Sequence, residues 1–282
     1  MEKKIQNKFD SDTRFDKPFI ELTDRVKETG EVPLEYIDFD YIPTLRCNLF
    51  CKHCRQYEVR KNREWTEIRD EMSLEQLKEA WDKIDVKGKI VKINGGEPFV
   101  KKEIWQIFDY FRERGVYNIV ATNSFIFSNP ENIARIKRYS FVEITTSFDG
   151  LGEHHDRVRG SKGLFNTMIG FAKEMSVEHK VLLESCIQKD NIHDLPKMLE
   201  LKTDLGIYKI RFQLPVFTTK NEIDEINNLL DEELQYEAQT KETPEYDFTY
   251  KELMESYNKM IETGIDFDMH PKYFDIDHEA CF

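Results

Sequence analysis

The stretch Tyr36-Ile37-Asp38-Phe39-Asp40-Tyr41-Ile42-Pro43-Thr44-Leu45-Arg46-Cys47-Asn48-Leu49-Phe50-Cys51-Lys52-His53-Cys54 decides the reading of this chain. Tyr36 to Thr44 read as a strand, with Asp38 and Asp40 on one face and Ile37, Phe39 and Tyr41 on the other. Directly after it, three cysteines follow in the spacing C-x3-C-x2-C. Three thiolates on one loop can hold a metal centre, yet a structural zinc site takes four ligands and a four-iron cluster usually takes four cysteines. A cluster iron without a protein thiolate keeps an open coordination position, which is a place for chemistry. Zinc with His53 as fourth ligand is the competing reading, but His53 lies between Cys51 and Cys54, a poor arrangement for one tetrahedral site.

Outward from this stretch, strands and helices alternate. A helix is predicted at 73–85, with Ser73 and Gln76 as a capping box and Leu74, Leu77, Trp81 and Ile84 on one face. A second strand runs from Lys89 to Asn94, and Ile104, Ile107, Phe108 and Phe111 mark the next helix. Asn118 to Thr122 is a third strand, and Asn129-Pro130 opens a helix with Pro in its first turn. Phe141–Phe148, Val181–Gln188 and Tyr208–Leu214 complete six strands, with helices at 163–177, after Asn191 and at 221–238. Six strand–helix units in a row predict an α/β fold with a parallel sheet and outer helices. Their regularity favours a partial (β/α)6 TIM-like barrel over 35–240 rather than an open doubly wound sheet. An N-terminal extension, 1–34, precedes it, with one short helix around 18–27 and nothing large enough for a leader-peptide domain. A C-terminal extension, 241–282, carries a helix marked by Tyr250, Leu253, Met254, Tyr257, Met260 and Ile261, then a short strand of Ile265, Phe267 and Met269.

The strands also have a polar side. Phe141, Glu143, Thr145, Ser147 and Asp149 alternate with Val142, Ile144, Thr146 and Phe148; Glu184 and Cys186, then Arg211 and Gln213, continue the pattern. Outer faces pack on apolar helices, so the polar sets point into the lumen. Barrel cores of this type are ordinarily filled with branched apolar residues. A lumen holding Asp38, Asp40, Lys92, Asn94, Glu143, Glu184, Arg211 and Gln213 reads either as self-satisfied ion pairing or as a wet cavity for a polar substrate.

Composition narrows the function classes. The 282 residues carry a formal net charge of −13, which argues against nucleic acid or an anionic membrane as the main partner. No apolar run approaches ~18 residues, and no apolar stretch follows the charged N-terminus, so neither a membrane span nor a secretion signal is expected. Five cysteines, three of them clustered, fit a reducing compartment and a cytoplasmic location. Every glycine-rich or polar motif sits at the C-terminal end of its strand: the cysteine loop, Asn94-Gly95-Gly96-Glu97-Pro98, Thr122-Asn123-Ser124 and Ser147-Phe148-Asp149-Gly150. That is the end at which active sites of α/β barrels are built.

The cysteine spacing after one strand, with Gly95-Gly96-Glu97-Pro98 after the next, resembles the radical SAM enzymes over roughly residues 36–215. The resemblance implies that Cys47, Cys51 and Cys54 bind a [4Fe–4S] cluster whose unique iron is chelated by S-adenosylmethionine (SAM). Reduction of the cluster, by a donor such as flavodoxin or ferredoxin, then yields a 5′-deoxyadenosyl radical that abstracts hydrogen from the substrate. By the same resemblance Gly95, Gly96 and Glu97 meet the SAM amino group, His53 lies near the adenine, Asn123, Ser147 and Asp149 contact ribose and methionine, and Leu214 is the apolar adenine contact. His155-Asp156-Arg157-Val158-Arg159-Gly160, followed by Gly163 and Phe165, resembles the SPASM/twitch branch, in which the second arginine, here Arg159, reaches the SAM carboxylate. That branch mostly modifies peptides or proteins by oxidation, epimerisation or cross-linking, which makes such a substrate the first expectation. A small polar metabolite, such as a sugar, nucleotide or tetrapyrrole, is the second. Cys281 resembles the first cysteine of the branch's auxiliary domain, so an auxiliary iron–sulfur cluster is expected only in a longer chain. Ser124 stands where the family more often has glycine. Cys186, on an inward strand face, reads as a small core filler or as a hydrogen donor.

Overall fold

A computed structural model describes residues 39–51, 53–54, 71–214, 249–267 and 269. The helices expected at 18–27 and 221–238, the extension 1–34, Asp38 and Cys281 lie outside the described residues.

Six strands form one sheet in sequence order: β1 (Phe39–Tyr41), β2 (Ile90–Ile93), β3 (Tyr117–Thr122), β4 (Phe141–Ser147), β5 (Val181–Cys186) and β6 (Lys209–Gln213). Every neighbouring pair is parallel, and among the described residues β1 and β6 remain edges, so the barrel is partial, as expected. Helices α1 (Leu74–Trp81), α2 (Ile104–Glu113), α3 (Pro130–Ile136), α4 (Glu153–Arg159), α5 (Leu164–Met175) and α6 (Leu195–Leu205) connect them, and α7 (Tyr250–Glu262) follows. Ser73 caps α1 through the reciprocal bonds of a capping box: its hydroxyl accepts from the Gln76 N–H, and its own N–H donates to the Gln76 side chain. Asn129 caps α3, whose first turn begins at Pro130.

The period of two along the strands sorts the residues. Tyr41, Ile93, Val120, Ile144, Val181, Leu183, Ile210 and Phe212 are buried under the helices. An aromatic group (Trp81, Phe99, Trp105, Phe108, Phe111, Phe127, Tyr139, Phe141) fills the space between α1, α2 and the sheet. The stacked rings of Phe127 and Phe171, 3.9 Å apart, bind the turn after β3 to α5. On the opposite face, register places Asp40 beside Lys92, Ser147 beside Glu184, Glu184 beside Arg211, and Cys186 beside Gln213. This face carries internal pairing and solvent-exposed polar groups together. Glu184 accepts from Arg211 at 3.4 Å and Gln213 at 2.8 Å, Asn94 donates to Asp40 at 3.1 Å, and Asp40, Lys92 and Gln213 remain exposed to solvent.

Two elements differ from the sequence reading. Residues 265–267 form no strand; Ile265 and Phe267 pack on the core as irregular chain, with Phe267 edge-on to Phe212 and Tyr257. Alternating apolar residues make a strand only where a sheet edge accepts their backbone bonds. Helix α4 was not expected. Its seven residues are mostly charged, and Gly152 and Gly160 close it at positive φ. Helix α7 packs against α6 and contributes Leu253 and Met260 to the same core.

Candidate active site

The site is assembled from loops at the C-terminal ends of the strands. After β1, Leu49 and Cys51 are buried against Leu164 of α5, and Cys47 and Cys54 pack on this small apolar patch. The Cys54 N–H donates to the Cys51 carbonyl at 3.1 Å, closing the C-x2-C turn. Burial pushes the Cys51 thiol up, while the nearby Arg159 guanidinium opposes that shift. A thiol that resists ionisation alone is one that a bound metal would deprotonate.

The turn after β2 is fixed to this loop by backbone bonds. The Gly96 N–H donates to the Thr44 carbonyl at 3.0 Å, and the Glu97 N–H to the Arg46 carbonyl at 2.8 Å. A Cβ on Gly96 would stand 2.1 Å from the Arg46 oxygen, and one on Gly95 2.5 Å from the Thr44 oxygen. Gly95 also has φ +129, which L side chains rarely adopt. The glycines therefore let the chain approach the cysteine loop itself. This contact with the loop is additional to the contact with SAM that the resemblance implies.

Glu97 is buried. One of its carboxylate oxygens accepts from the Phe99 N–H at 3.2 Å and the Thr122 hydroxyl at 3.0 Å, and the other from the Asn123 N–H at 2.7 Å. Burial outweighs these bonds and pushes its carboxyl up to about 7. Three of about four acceptor sites are used, which leaves one for a further donor. The Asn123 amide bridges the same region: it donates to Asn48 at 2.8 Å and faces Cys47 Sγ at 3.6 Å. Ser124 is buried with φ 64, the left-handed region, which explains why glycine suits this position. Its hydroxyl bonds the Thr146 hydroxyl in a short contact.

Asp149 and Arg159 close the other side. Asp149, fully buried just past β4, pairs with Arg159 at 2.5 Å, accepts from the Cys186 N–H at 2.9 Å and lies 3.6 Å from His53 Nε2. Burial alone would raise its pKa, but Arg159 and then His53 hold it below the usual value. Arg159 also directs a guanidinium N–H at Cys51 Sγ, 3.7 Å away. Burial disfavours the charge on Arg159, yet Asp149 and Cys51 hold it firmly protonated. His53 meets Gln188 at 3.3 Å as well. His155 accepts from the Asp149 N–H at 3.2 Å; burial, then Arg159, lowers its pKa to about 4 and keeps it neutral.

Of the residues singled out from sequence, Cys47, Cys51, Cys54, His53, Gly95, Gly96, Glu97, Asn123, Asp149 and Arg159 are thus joined in one contiguous set. Ser147 stands on the concave face beside Glu184, and Leu214 packs at the end of β6. Cys186 lies at the end of β5 and is connected to the set through Asp149. Sequence reasoning missed Asn48 and Asn191. Asn191 donates to the Cys186 and Asp149 carbonyls at 2.8 and 3.3 Å. Asn48 meets Asn123, 75 positions away, and Asn191 reaches Asp149, 42 positions away, so sequence shows neither link to the site.

The donor set fits a cluster with SAM better than a single ion. Among the described residues no three Cys, His, Asp or Glu side chains are placed to hold one metal ion. A four-iron cluster instead takes each thiolate on a different iron. Arg159 Nε is buried with no hydrogen-bond partner among the described residues, a donor left over for an anionic group. Glu97 keeps an acceptor site for a cationic one.

A family profile described as the Radical SAM superfamily matches residues 41–201. The chain is 31% identical over 171 residues to an Fe-coproporphyrin III synthase of Methanosarcina barkeri, covering 60% of this chain and 41% of that one. It is 30% identical over 135 residues to the mycofactocin maturase MftC of Mycolicibacterium smegmatis, covering 47% and 32%. It therefore spans less than half the length of these two relatives. In fold it is similar to Streptococcus suis SuiB bound to S-adenosylmethionine, with a TM-score of 0.60 at 12% identity over 89% of this chain and 53% of that one. No helix among the described residues is long and apolar enough to cross a membrane. The chain belongs to the radical SAM superfamily, enzymes whose cofactors are a [4Fe–4S] cluster and SAM.

Proposed function

We propose that Cys47, Cys51 and Cys54 hold the cluster, that Gly95, Gly96, Glu97 and Arg159 bind SAM beside it, and that the enzyme abstracts hydrogen from a peptide or protein. When bound and reduced, the cluster and SAM supply a 5′-deoxyadenosyl radical. The chain's own residues bind, orient and shield. The remaining acceptor site of Glu97 takes the SAM ammonium, and the free Nε–H of Arg159 takes its carboxylate. His53 and Leu214 flank the adenine, and Asn123, Ser147 and Asp149 meet ribose and methionine. The reducing electron comes from a small donor protein of the flavodoxin or ferredoxin kind.

The observation that best supports this reading is the pair of backbone bonds from Gly96 and Glu97 to the carbonyls of Thr44 and Arg46. They hold a buried carboxylate turn against a three-cysteine loop. The peptide substrate is supported by the similarity to mycofactocin maturase and by the fold shared with SuiB, which also matches in its complex with the precursor peptide SuiA. The polar concave face gives such a substrate hydrogen-bond partners.

A second reading, a small polar metabolite such as a tetrapyrrole, is favoured by the longer alignment to the Fe-coproporphyrin III synthase. Release of 5′-deoxyadenosine from reconstituted protein under dithionite separates the two. Stimulation by peptide fractions and not by tetrapyrroles supports the first, and the reverse overturns it. The absence of 5′-deoxyadenosine with any addition overturns both.

A further inference from the structure

A network outside the site described so far joins three chain segments. The Arg46 guanidinium forks onto Glu71, with Nε at 2.7 Å from one carboxylate oxygen and an Nη at 2.8 Å from the other. Glu71 also accepts from the Thr44 hydroxyl in a short contact and faces Lys101 Nζ at 3.5 Å. Lys101 is nearly buried, donates to the Met72 carbonyl at 2.9 Å and lies 3.8 Å from Glu103. Burial alone would raise the Glu71 carboxyl, but Arg46, then the Thr44 hydroxyl and last Lys101 hold it below its usual range.

The positions of these residues give the network its meaning. Arg46 is the residue before Cys47, and its carbonyl is the acceptor for the Glu97 N–H. Lys101 ends the short turn Pro98–Val100 that Glu97 opens, and Glu71 stands just ahead of the α1 cap Ser73. One side chain therefore fixes the peptide unit that carries the first cysteine and also anchors the carboxylate turn. A bidentate guanidinium–carboxylate pair sets orientation as well as distance, which a lysine in its place cannot do.

We propose that Arg46, Glu71 and Lys101 are positioning residues that set the separation between the cysteine loop and the Gly95–Glu97 turn. They govern how tightly SAM sits on the cluster while touching neither. This rests on the reading of the site given above. Loss of the fork lets the Arg46 peptide rotate, so the cysteine loop and Glu97 lose their common anchor. The rest of the sheet keeps its core.

The test uses the full chain, reconstituted anaerobically with iron and sulfide, in wild-type, Arg46→Lys, Arg46→Ala and Glu71→Gln forms. Iron per chain, the SAM concentration that half-saturates the SAM-induced change in the reduced cluster's electron paramagnetic resonance spectrum, and the urea midpoint are measured. In Arg46→Lys and Glu71→Gln the half-saturating SAM concentration is expected to rise about tenfold, the equivalent of about 1.4 kcal/mol. Their urea midpoints are expected to stay near wild type. Arg46→Ala is expected to add partial loss of iron. Variants that match wild type in iron content and SAM dependence overturn the proposal. So does a fall in urea midpoint that accounts for the whole change, since the network would then be holding the fold and not the site. Wild type that takes up no cluster, or whose spectrum ignores SAM, overturns instead the functional reading beneath it.

Discussion

The guanidinium of Arg159 stands 2.5 Å from the carboxylate of Asp149, and the same guanidinium faces the thiol of Cys51 at 3.7 Å. One buried cation thus joins the end of β4 to the cysteine loop, although Arg159 and Cys51 lie 108 residues apart in sequence. Arg159→Ala leaves Asp149 buried without its partner, a loss of about 3–5 kcal/mol by the usual cost of breaking such a pair. The sign of the pH dependence changes with it. In the native chain Asp149 has a depressed pKa, so its contribution is present above the unfolded value and lost as pH falls below about 4. In the variant burial dominates, the carboxyl pKa rises, and stability is lost as pH increases. Urea midpoints measured across that range distinguish the two slopes.

Glu97 gives the opposite case in the native chain. Its folded pKa of about 7 exceeds the unfolded value of 4.5, so the folded state holds the extra proton. Its contribution is fully present below about 4.5 and is lost as pH rises through about 7, amounting to about 3 kcal/mol at most. An ammonium ligand prefers the ionised form, so SAM affinity rises over the same interval. Glu97→Gln removes both dependences. Urea unfolding and SAM titration between pH 5.5 and about 8 check them.

Gly96→Ala places a methyl 2.1 Å from a backbone oxygen with no flexible side chain to yield. The cysteine loop must move, and iron uptake on reconstitution is expected to fall to a small fraction of wild type. Gly170→Ala is the control. It lies exposed inside α5 with nothing within 4 Å of the new methyl, and it is expected to stabilise the chain by up to about 1 kcal/mol. Iron analysis and thermal melting read the pair.

Ser124 offers a three-way comparison. Glycine and alanine both delete the bond to the buried Thr146 hydroxyl, at about 1–3 kcal/mol. Only glycine recovers the left-handed strain, about 1 kcal/mol. The expected order in urea midpoints is serine, then glycine, with alanine lowest.

These residues also show what the sequence could reveal. The six strands were legible as short apolar runs between turn signals, and in β3 the buried residues Asn118, Val120 and Thr122 repeat every second position. The site motifs were legible because they fall at strand ends, where a parallel sheet gathers its loops. Helix α4 was not, since seven mostly charged residues carry no apolar period. Glu71 was not either, because its partners Arg46 and Lys101 lie 25 and 30 positions away and one carboxylate in a charged stretch looks like any other. The role of Gly95 and Gly96 was half legible. Their freedom was plain from composition, but the surface they approach, the backbone of Thr44 to Arg46, exists only once β1 and β2 are paired.

The most direct test of the central claim is 5′-deoxyadenosine released from SAM by the anaerobically reconstituted, dithionite-reduced chain, beside a Cys47→Ala, Cys51→Ala, Cys54→Ala variant. Wild type is expected to hold about four irons per chain and to release measurable 5′-deoxyadenosine, with both lost in the triple variant. A triple variant that keeps its iron and still cleaves SAM, or a wild-type chain that binds iron and leaves SAM intact, would contradict it.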